Sequence, residues 1–155
     1  MQSLLWRQLV FLSAVILGLT GRLSGATQEE LNAALQTALD ARNIAAIKSA
    51  LSAGADVNGT PSSGVLPLMG AVEDSNVEVV AILLKAGAKT NVRDPALNSS
   101  PLEYAVSWGW PEVVKLLLAH GADATARTPQ GATVFFKLNE HAQVIGDLPA
   151  LQIQA

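Results

Sequence analysis

The chain has 155 residues, a length that accommodates one domain but not two ordinary ones. Half of the residues are hydrophobic but only 5% are aromatic, and a composition rich in Ala, Leu and Val favours closely packed helices over a strand-rich sandwich. Thirteen acidic residues outnumber ten basic ones, with no basic cluster along the sequence, which excludes nucleic acid and an anionic membrane surface as partners.

Residues 1–26 have the pattern of a secretory signal peptide. A short polar start precedes an almost entirely apolar run from Leu9 to Leu19, and small residues at Ser24 and Ala26 occupy the positions that a signal peptidase recognises. As a helix, the span from Leu9 to Gly21 reaches about 20 Å, less than the roughly 30 Å of a hydrocarbon core. We therefore predict cleavage after Ala26. An uncleaved membrane anchor is the alternative, because Arg22 lies inside the cleavage region.

The sequence contains no cysteine, which excludes a lipid-modified amino-terminal cysteine, disulfides and thiolate metal sites. Export without disulfides is common in the bacterial periplasm, whereas small secreted eukaryotic domains are more often rich in cysteine. We therefore expect an exported protein, located in the periplasm of a bacterium or secreted from it.

The remaining chain, residues 27–155, is predicted to form one domain of helical repeats. Its first helix opens with a capping box, in which Thr27 is the N-cap and Glu30 follows three residues later. Related strings, GADVN at 54–58, GAKTN at 87–91 and GADAT at 121–125, recur 33 and then 34 residues apart, each after an amphipathic segment. Pro67 and Pro101 are predicted in the first turn of a helix. The Gly that opens each string is predicted to end a helix in the left-handed region.

These segments closely resemble the ankyrin repeat, in which a TPLHxAA helix and an EVVKLLL helix are followed by a GADVN loop. The unit over 100–125 is nearest to this pattern, the unit over 66–91 keeps most of it, and the unit over 27–58 lacks the TPL start. A fourth unit begins at Gly131 and departs from the pattern at Val134. The resemblance implies an all-α ankyrin-repeat solenoid of stacked helix–turn–helix units joined by hairpin-like loops, with three helical pairs and a divergent C-terminal cap.

The resemblance also implies where a partner would bind. Ankyrin proteins tend to use their loop tips and the exposed ends of their first helices, which together form a concave face. The residues that we expect to bind a partner are those at matching positions of this chain: Asp40, Glu73, Asp74, Arg93, Asp94, Ser107, Trp108 and Arg127. Three of these acids, Asp40, Glu73 and Asp74, indicate a partner with a basic patch. A solvated acidic surface that keeps the protein in solution is the alternative.

Trp108 is the candidate singled out among these residues. It lies where the repeat usually exposes a variable side chain, and an exposed Trp is a favoured anchor of protein interfaces. The alternative is that its ring covers Trp110 or Tyr104 as a local apolar contact.

The sequence offers no pattern that indicates catalysis. The two histidines, His120 and His141, have neither a second His nor a Cys at metal-ligand spacing. No Gly-x-Ser-x-Gly elbow, Ser/His/Asp grouping or Gly-rich phosphate loop is found. We therefore expect no enzymatic activity, no cofactor and no metal.

The repeat pattern and the export signal together predict a monomeric periplasmic or secreted protein. It would bind another protein and stabilise, localise or inhibit it, without contact to nucleic acid or, after signal cleavage, to a membrane. Narrower possibilities stay open: an inhibitor or immunity protein against a toxic enzyme, an accessory to a periplasmic enzyme such as a catalase, or a structural protein anchored in the envelope by its uncleaved N-terminal helix.

Overall fold

The computed structural model describes residues 26–60, 64–94, 98–125 and Val134. Within these ranges every regular element is an α-helix and no strand is present. The elements are α1 (Gln28–Asp40), α2 (Ile44–Ser52), α3 (Pro67–Glu73), α4 (Val77–Lys85), α5 (Pro101–Ser107) and α6 (Pro111–Ala119). The predicted all-α fold with three helical pairs is confirmed.

Helix α1 begins as its sequence predicts. The Thr27 hydroxyl accepts a hydrogen bond from the backbone N–H of Glu30 at 3.2 Å, and the Glu30 carboxylate accepts one from the backbone N–H of Thr27 at 2.9 Å. This reciprocal capping box satisfies two N–H groups that have no partner inside the helix. Helix α1 then packs against α2.

The turn inside each helical pair has the same backbone geometry three times. Its central residue has a positive φ, which is 51° at Arg42, 53° at Ser75 and 71° at Gly109. The following residue donates its N–H back to the first helix of the pair: Asn43 to Ala38 O at 2.9 Å, Asn76 to Ala71 O at 3.1 Å and Trp110 to Ala105 O at 2.9 Å. This repeated turn places the residue after it at the N-cap of the second helix.

A glycine in the left-handed region lies two residues after the last residue of each second helix, as predicted. Gly54, Gly87 and Gly121 have φ values of 101°, 89° and 84°, in the left-handed region that residues with a Cβ rarely adopt. The residue after two of these glycines donates its backbone N–H to a carbonyl inside the helix. Ala55 donates to Ala50 O and Ala122 donates to Leu117 O, each at 3.0 Å.

Asparagine side chains tie the loops that follow these glycines. Asn58 donates its side-chain N–H to Gly87 O at 3.1 Å, and Asn91 donates to Gly121 O at 3.1 Å. Asn91 also accepts the backbone N–H of Asp123 at 2.8 Å. The strings that recur in the sequence are therefore loops bound by side chains, which satisfy backbone groups that no helix pairs.

Backbone contacts divide the chain into two units. The first contains the described residues up to Pro67 together with Lys85–Ala88, and the second contains 68–84 and the described residues from Lys89 onwards. The core of the first unit is made of α1 and α2 and includes Leu35 and Ile47, which are 1% and 0% exposed.

The second unit has its own apolar core. It is formed by the inner faces of α3 to α6 and includes Val72, Val80, Leu83, Leu102, Val106, Val113, Val114 and Leu117. Within it α5 packs against α6. Val134 is helical and fully buried in this unit, and the rest of the predicted C-terminal cap, 135–152, lies outside the described residues.

The predicted signal peptide also lies outside the described residues, apart from Ala26. In the part of the chain that is described, none of the helices has the length and apolarity needed to cross a membrane.

Candidate binding surface

The end of α5 carries the most exposed large apolar side chain in the described ranges. Trp108 is the C-cap of α5 and is 67% exposed. Its ring stacks on that of Trp110, with 6.1 Å between the ring centroids and 14° between the ring planes, a separation within the usual range for aromatic pairs. The sequence left two possibilities for Trp108, an exposed side chain or a ring that covers Trp110 or Tyr104. The structure combines them, because the side chain is exposed and its ring also stacks on Trp110. Its role in binding stays a prediction.

Trp110 lies at a position that the other repeats use for capping. Asn43 accepts a hydrogen bond from Ala46 N at 3.1 Å at the start of α2, and Asn76 accepts one from Val79 N at 3.2 Å at the start of α4. Trp110 is the corresponding N-cap of α6 and makes no side-chain capping bond. Capping residues are typically Asn, Asp, Ser or Thr. With Trp at this position, α6 lacks the side-chain bond that stabilises the start of α2 and α4, and the Trp110 ring stacks against Trp108 instead.

An acidic group lies in the same unit, at the end of α3 and in the loop that follows α4. Glu73 and Asp74 are exposed, and Asp94 is half-buried. Loss of water around its carboxyl raises the pKa of Glu73, and the charges of Asp94 and Asp74 raise this pKa further. The charges of Asp94 and Asp74, two other predicted partner-binding residues, therefore act on the Glu73 carboxyl.

Tyr104 connects this acidic group to α5. Its hydroxyl donates to the Asp94 carboxylate at 3.2 Å. Burial raises the pKa of Tyr104, as do the charge and the hydrogen bond of Asp94 and the charge of Glu73. One helical turn further on, Trp108 donates its backbone N–H to Tyr104 O at 3.0 Å. We refer to Glu73, Asp74, Asp94, Tyr104, Trp108 and Trp110 as the tryptophan–acid surface.

Arg93, another predicted partner-binding residue, is engaged inside the second unit. One guanidinium nitrogen donates to Asn98 O, and the other lies 3.4 Å from the carboxylate of Glu103. Asn98 has a φ of 52°, so a left-handed residue occupies the place where the sequence suggests Gly. Arg93 thus holds the base of this loop, a structural role that the sequence alone did not indicate.

Glu103 is a structural residue that sequence reasoning missed. Its side chain is 4% exposed, and neither carboxylate oxygen accepts a hydrogen bond from the described residues. The corresponding position in α3 is Met69, which is 2% exposed. A comparison of Leu68-Met69 with Leu102-Glu103 would have revealed it, because a carboxylate here takes the place of an apolar core residue.

The remaining predicted residues are not brought into this group by the structure. Ser107 is exposed at the last position of α5, next to Trp108. Asp40 is exposed at the end of α1 in the first unit, where it accepts a bond from Gln36 at 2.8 Å. Arg127 lies outside the described residues, as do the loop tips at 61–63, 95–97 and 127–130.

The described residues contain no group of three or more His, Cys, Asp and Glu side chains arranged to hold a metal. His120 is exposed, with its Nδ1 2.9 Å from Leu116 O, and His141 lies outside the described ranges. The features that distinguish this chain are therefore the stacked rings of Trp108 and Trp110 and, in the same unit, the carboxylate of Asp94 that accepts the Tyr104 hydroxyl.

The repeated helical pairs, glycine-ended helices and Asn-bound loops define an all-helical repeat protein. The chain belongs to the ankyrin repeat family: a family model described as ankyrin repeats, in three copies, matches residues 35–128. Ankyrin repeats generally mediate protein–protein interaction and are typically not catalytic.

Similar repeats are found in proteins from three eukaryotes. Zygote-specific protein 3 of Chlamydomonas reinhardtii is 39% identical over 100 residues, which are 64% of this chain and 26% of that protein. Ankyrin repeat and KH domain-containing protein mask-1 of Caenorhabditis elegans is 29% identical over 127 residues, 82% of this chain and 5% of that protein. Protein phosphatase 1 regulatory subunit 27 of Homo sapiens is 39% identical over 69 residues, 44% of each chain.

The chain therefore spans about a quarter of the first of these relatives and about a twentieth of the second. These similarities show neither the bacterial origin nor the export that the sequence predicts.

Proposed function

We propose that this protein binds one partner protein through the tryptophan–acid surface, and that it acts by holding that partner and not by chemistry of its own. The exposure of Trp108 carries this proposal. A Trp that is 67% exposed leaves a large apolar area in water, and covering such an area is favourable when a partner binds.

The stacking of Trp108 on Trp110 supports the same proposal. A side chain already held in one orientation loses less rotamer freedom on binding than a mobile one. The acidic residues of the same unit add charge that orients an approaching partner. Glu73, Asp74, Asp94 and Trp108 belong to this proposed interface, whereas Ser107, Asp40 and Arg127 stay candidates on the sequence pattern alone.

The proposed place of action is the periplasm or the exterior of the cell. This part of the proposal is based on residues 1–26 only, in which an apolar run is followed by small residues up to Ala26. Fractionation of cells and the mass of the intact chain would test it. A chain that starts at Thr27 outside the cytoplasm agrees with export and cleavage, and an intact amino terminus in membranes favours the envelope-anchored alternative.

The binding role is tested by affinity capture. The full chain, tagged at its carboxyl end and processed by its own cells, is compared with Trp108→Ala and with Val77→Ala. Val77 is a matched control, because it is also an exposed apolar residue, at 41%, but it begins the second helix of a pair.

One protein that is retained by the wild type and by Val77→Ala but lost by Trp108→Ala is the expected result. A partner retained equally by all three chains would contradict binding through Trp108. The activity of the captured protein then separates the narrower roles: a toxic enzyme inhibited by this chain indicates an immunity protein, and an enzyme stabilised by it indicates an accessory protein.

A further inference from the structure

The loop that follows α2 contains a chemically labile dipeptide, Asn58-Gly59, which is the only Asn-Gly pair in the sequence. The side-chain amide of an asparagine can be attacked by the backbone nitrogen of the next residue. A following glycine permits this attack most readily, because it has no Cβ to hinder the approach. Asn91 occupies the same place in the next repeat but precedes Val92, which is stiff and branched at Cβ. The labile pair is therefore a feature of the first loop and not of the repeat in general.

The local structure requires both members of this pair. Asn58 donates its side-chain N–H to Gly87 O at 3.1 Å, a bond that an aspartate cannot make because its carboxylate only accepts. A Cβ at Gly59 would lie 2.5 Å from Asn32 Nδ2 and 3.1 Å from Asp56 O. Substitution of either residue therefore disturbs the loop, so the fold retains a dipeptide that is chemically unstable.

The hydrogen bonds of the folded loop oppose the attack. The N–H of Gly59 donates to Asp56 O at 3.0 Å, and this nitrogen has to lose its proton before it can act as a nucleophile. The backbone N–H of Asn58 donates to Asp56 Oδ1 at 2.9 Å, and that of Asp56 donates to Asn32 Oδ1 at 2.8 Å. All of these groups lie in the first unit. The attack therefore requires a local opening of this loop.

We propose that Asn58 is a site of spontaneous deamidation that the folded loop restrains. When the loop opens, the nitrogen of Gly59 gives its proton to a base in the solvent and bonds to Cγ of Asn58. The Cγ–Nδ2 bond breaks, and the departing nitrogen takes up a proton and leaves as ammonia. Water then adds to one carbonyl carbon of the resulting succinimide and opens the ring, which gives aspartate or isoaspartate.

The modified residue cannot restore the loop. Aspartate has an oxygen in place of Nδ2 and cannot donate to Gly87 O, and isoaspartate also lengthens the backbone by a methylene group. An opening that is reversible in the unmodified protein thus has a permanent consequence once the reaction has taken place. The fraction of modified Asn58 therefore records how often this loop has opened.

The test measures deamidation in the full-length chain, processed by its own cells. The protein is incubated at mildly alkaline pH, either folded or fully unfolded in guanidinium chloride, and is then digested. Mass spectrometry compares the peptides that contain Asn58 and Asn91. Deamidation changes the peptide mass because a hydroxyl replaces an amino group, and isoaspartate peptides are recognised by their separate elution.

In the unfolded chain, Asn58 is expected to deamidate much faster than Asn91, because only Asn58 precedes a glycine. In the folded chain, the reaction at Asn58 is expected to be at least about tenfold slower than in the unfolded chain, which corresponds to an opening free energy of about 1.4 kcal/mol or more.

Two variants of α1 test whether the loop is the restraint. Asn32→Ala removes the acceptor of the Asp56 N–H and is expected to speed deamidation of folded Asn58 by about threefold to tenfold, as the loss of a hydrogen bond predicts. The matched control is Gln36→Ala, whose bond to Asp40 lies elsewhere on the same helix, and it should leave the rate unchanged. Neither variant should alter the rate in the unfolded chain, and thermal unfolding checks that both fold.

Asn58→Asp reproduces one product and tests its effect. The loss of the bond to Gly87 O is expected to speed hydrogen exchange at the Gly59 amide by about threefold to tenfold. Amides of α6, in the second unit, should exchange as in the wild type. Unchanged exchange at Gly59 would show that deamidation does not release the loop.

Other outcomes would overturn the site or its restraint. If Asn58 stays intact in the unfolded chain, it is not a deamidation site. Equal rates in the folded and unfolded chains, or an unchanged rate in folded Asn32→Ala, would show that the loop does not restrain the reaction. The result is independent of partner binding, because Trp108→Ala, a change in the second unit, should deamidate as the wild type does.

Discussion

The guanidinium Nη2 of Arg93 lies 3.4 Å from the Oε1 of Glu103, a carboxylate whose side chain is 4% exposed. Burying a carboxylate is unfavourable unless a charge or hydrogen bonds compensate it, and the described residues donate no hydrogen bond to this one. The ion pair with Arg93 therefore offsets the unfavourable burial of the Glu103 carboxylate. It also connects the loop before α5 to the core of the second unit.

Replacing Arg93 by Met is expected to lower the free energy of unfolding by about 1–3 kcal/mol, because it leaves a buried acceptor without its partner. Glu103→Met alone is expected to be neutral or stabilising, since buried ion pairs are often replaced by apolar residues without loss and Met69 fills the corresponding place in α3. Urea unfolding of the two single variants and the double variant measures the coupling.

In the double variant the penalty of Arg93→Met should shrink, because the carboxylate that Arg93 compensates is no longer present. The same penalty in both backgrounds would mean that the two side chains are not coupled.

The side chain of Asn91 joins two loops through both of its polar atoms, Nδ2 to Gly121 O at 3.1 Å and Oδ1 to Asp123 N at 2.8 Å. Asn91→Ala is expected to cost about 1–2 kcal/mol of stability, the usual range for losing such bonds. Hydrogen exchange at the Asp123 amide should accelerate beyond the exchange of amides in α6. Gln36→Ala is the control, because its bond to Asp40 lies on an exposed helix face and contributes only a few tenths of a kcal/mol, roughly. If Asp123 keeps its protection in Asn91→Ala, the loop does not depend on this side chain.

Gly59 is required by packing. A Cβ at this position would lie 2.5 Å from Asn32 Nδ2 and 3.1 Å from Asp56 O. Asn32 cannot move freely, because it accepts the N–H of Asp56 at 2.8 Å and a side-chain N–H of Gln28 at 2.9 Å. Gly59→Ala is therefore expected to destabilise the first unit by about 1–3 kcal/mol, as overpacking does, which thermal unfolding measures.

Two further variants separate this collision from other effects of adding a methyl group. In an Asn32→Ala background, Gly59→Ala should cost much less. Gly109→Ala is the comparison for backbone strain alone, since its φ is 71° and no atom lies within 4 Å of the added Cβ. A cost of Gly59→Ala that is unchanged by Asn32→Ala would contradict the packing explanation.

The sequence predicts the repetitive part of this fold because each repetitive feature is local. The capping box at Thr27, the prolines that open α3 and α5 and the glycines that end the second helices follow from short-range backbone chemistry. The pairing of Arg93 with Glu103 does not, because it depends on the path of a loop that closes on Asn98. A Glu within an apolar pattern is expected to face solvent, and its burial follows from its place in the repeat.

The candidate site was predicted in part for the same reason. The place of Trp108 follows from the repeat pattern, which marks the end of the first helix as exposed. The grouping of Glu73 with Asp94 does not, since it joins residues of different elements, and the capping position of Trp110 is recognised only when Asn43 and Asn76 are placed beside it.

Trp110→Asn is expected to separate stability from binding. An Asn at this N-cap can accept the N–H of Val113, as Asn43 accepts that of Ala46, a bond worth about 0.5–2 kcal/mol. The free energy of unfolding should therefore stay within about 1 kcal/mol of the wild type despite the loss of the ring. Trp108 loses its stacking partner, so affinity for the captured partner should fall. A variant that is much less stable, or that binds as before, would show that the Trp110 ring acts differently.

The pKa of Glu73 is predicted to lie above its ordinary value of 4.5, first because its carboxyl is desolvated and then because Asp94 and Asp74 are negative. A raised pKa in the folded state means that the folded protein binds this proton more tightly than the unfolded chain does. The stability that protonation of Glu73 provides is therefore complete below pH 4.5 and is lost as the pH rises through the folded pKa. Glu73→Gln lacks this pH dependence, so its free energy of unfolding should rise relative to that of the wild type between acidic and neutral pH. Because Glu73 is exposed, we expect this relative rise to be less than about 0.5 kcal/mol.

Titration of the Glu73 side-chain carboxyl by ¹³C NMR measures the shift directly, and Asp94→Asn identifies its cause. This substitution removes a negative charge that acts on both Glu73 and Tyr104, so the pKa of each should fall towards its ordinary value. The Glu73 pKa should remain somewhat raised, because desolvation is the largest cause and Asp74 is unchanged. A Glu73 pKa at or below 4.5 in the wild type, or one that does not respond to Asp94→Asn, would contradict the grouping of these acids on which the tryptophan–acid surface depends.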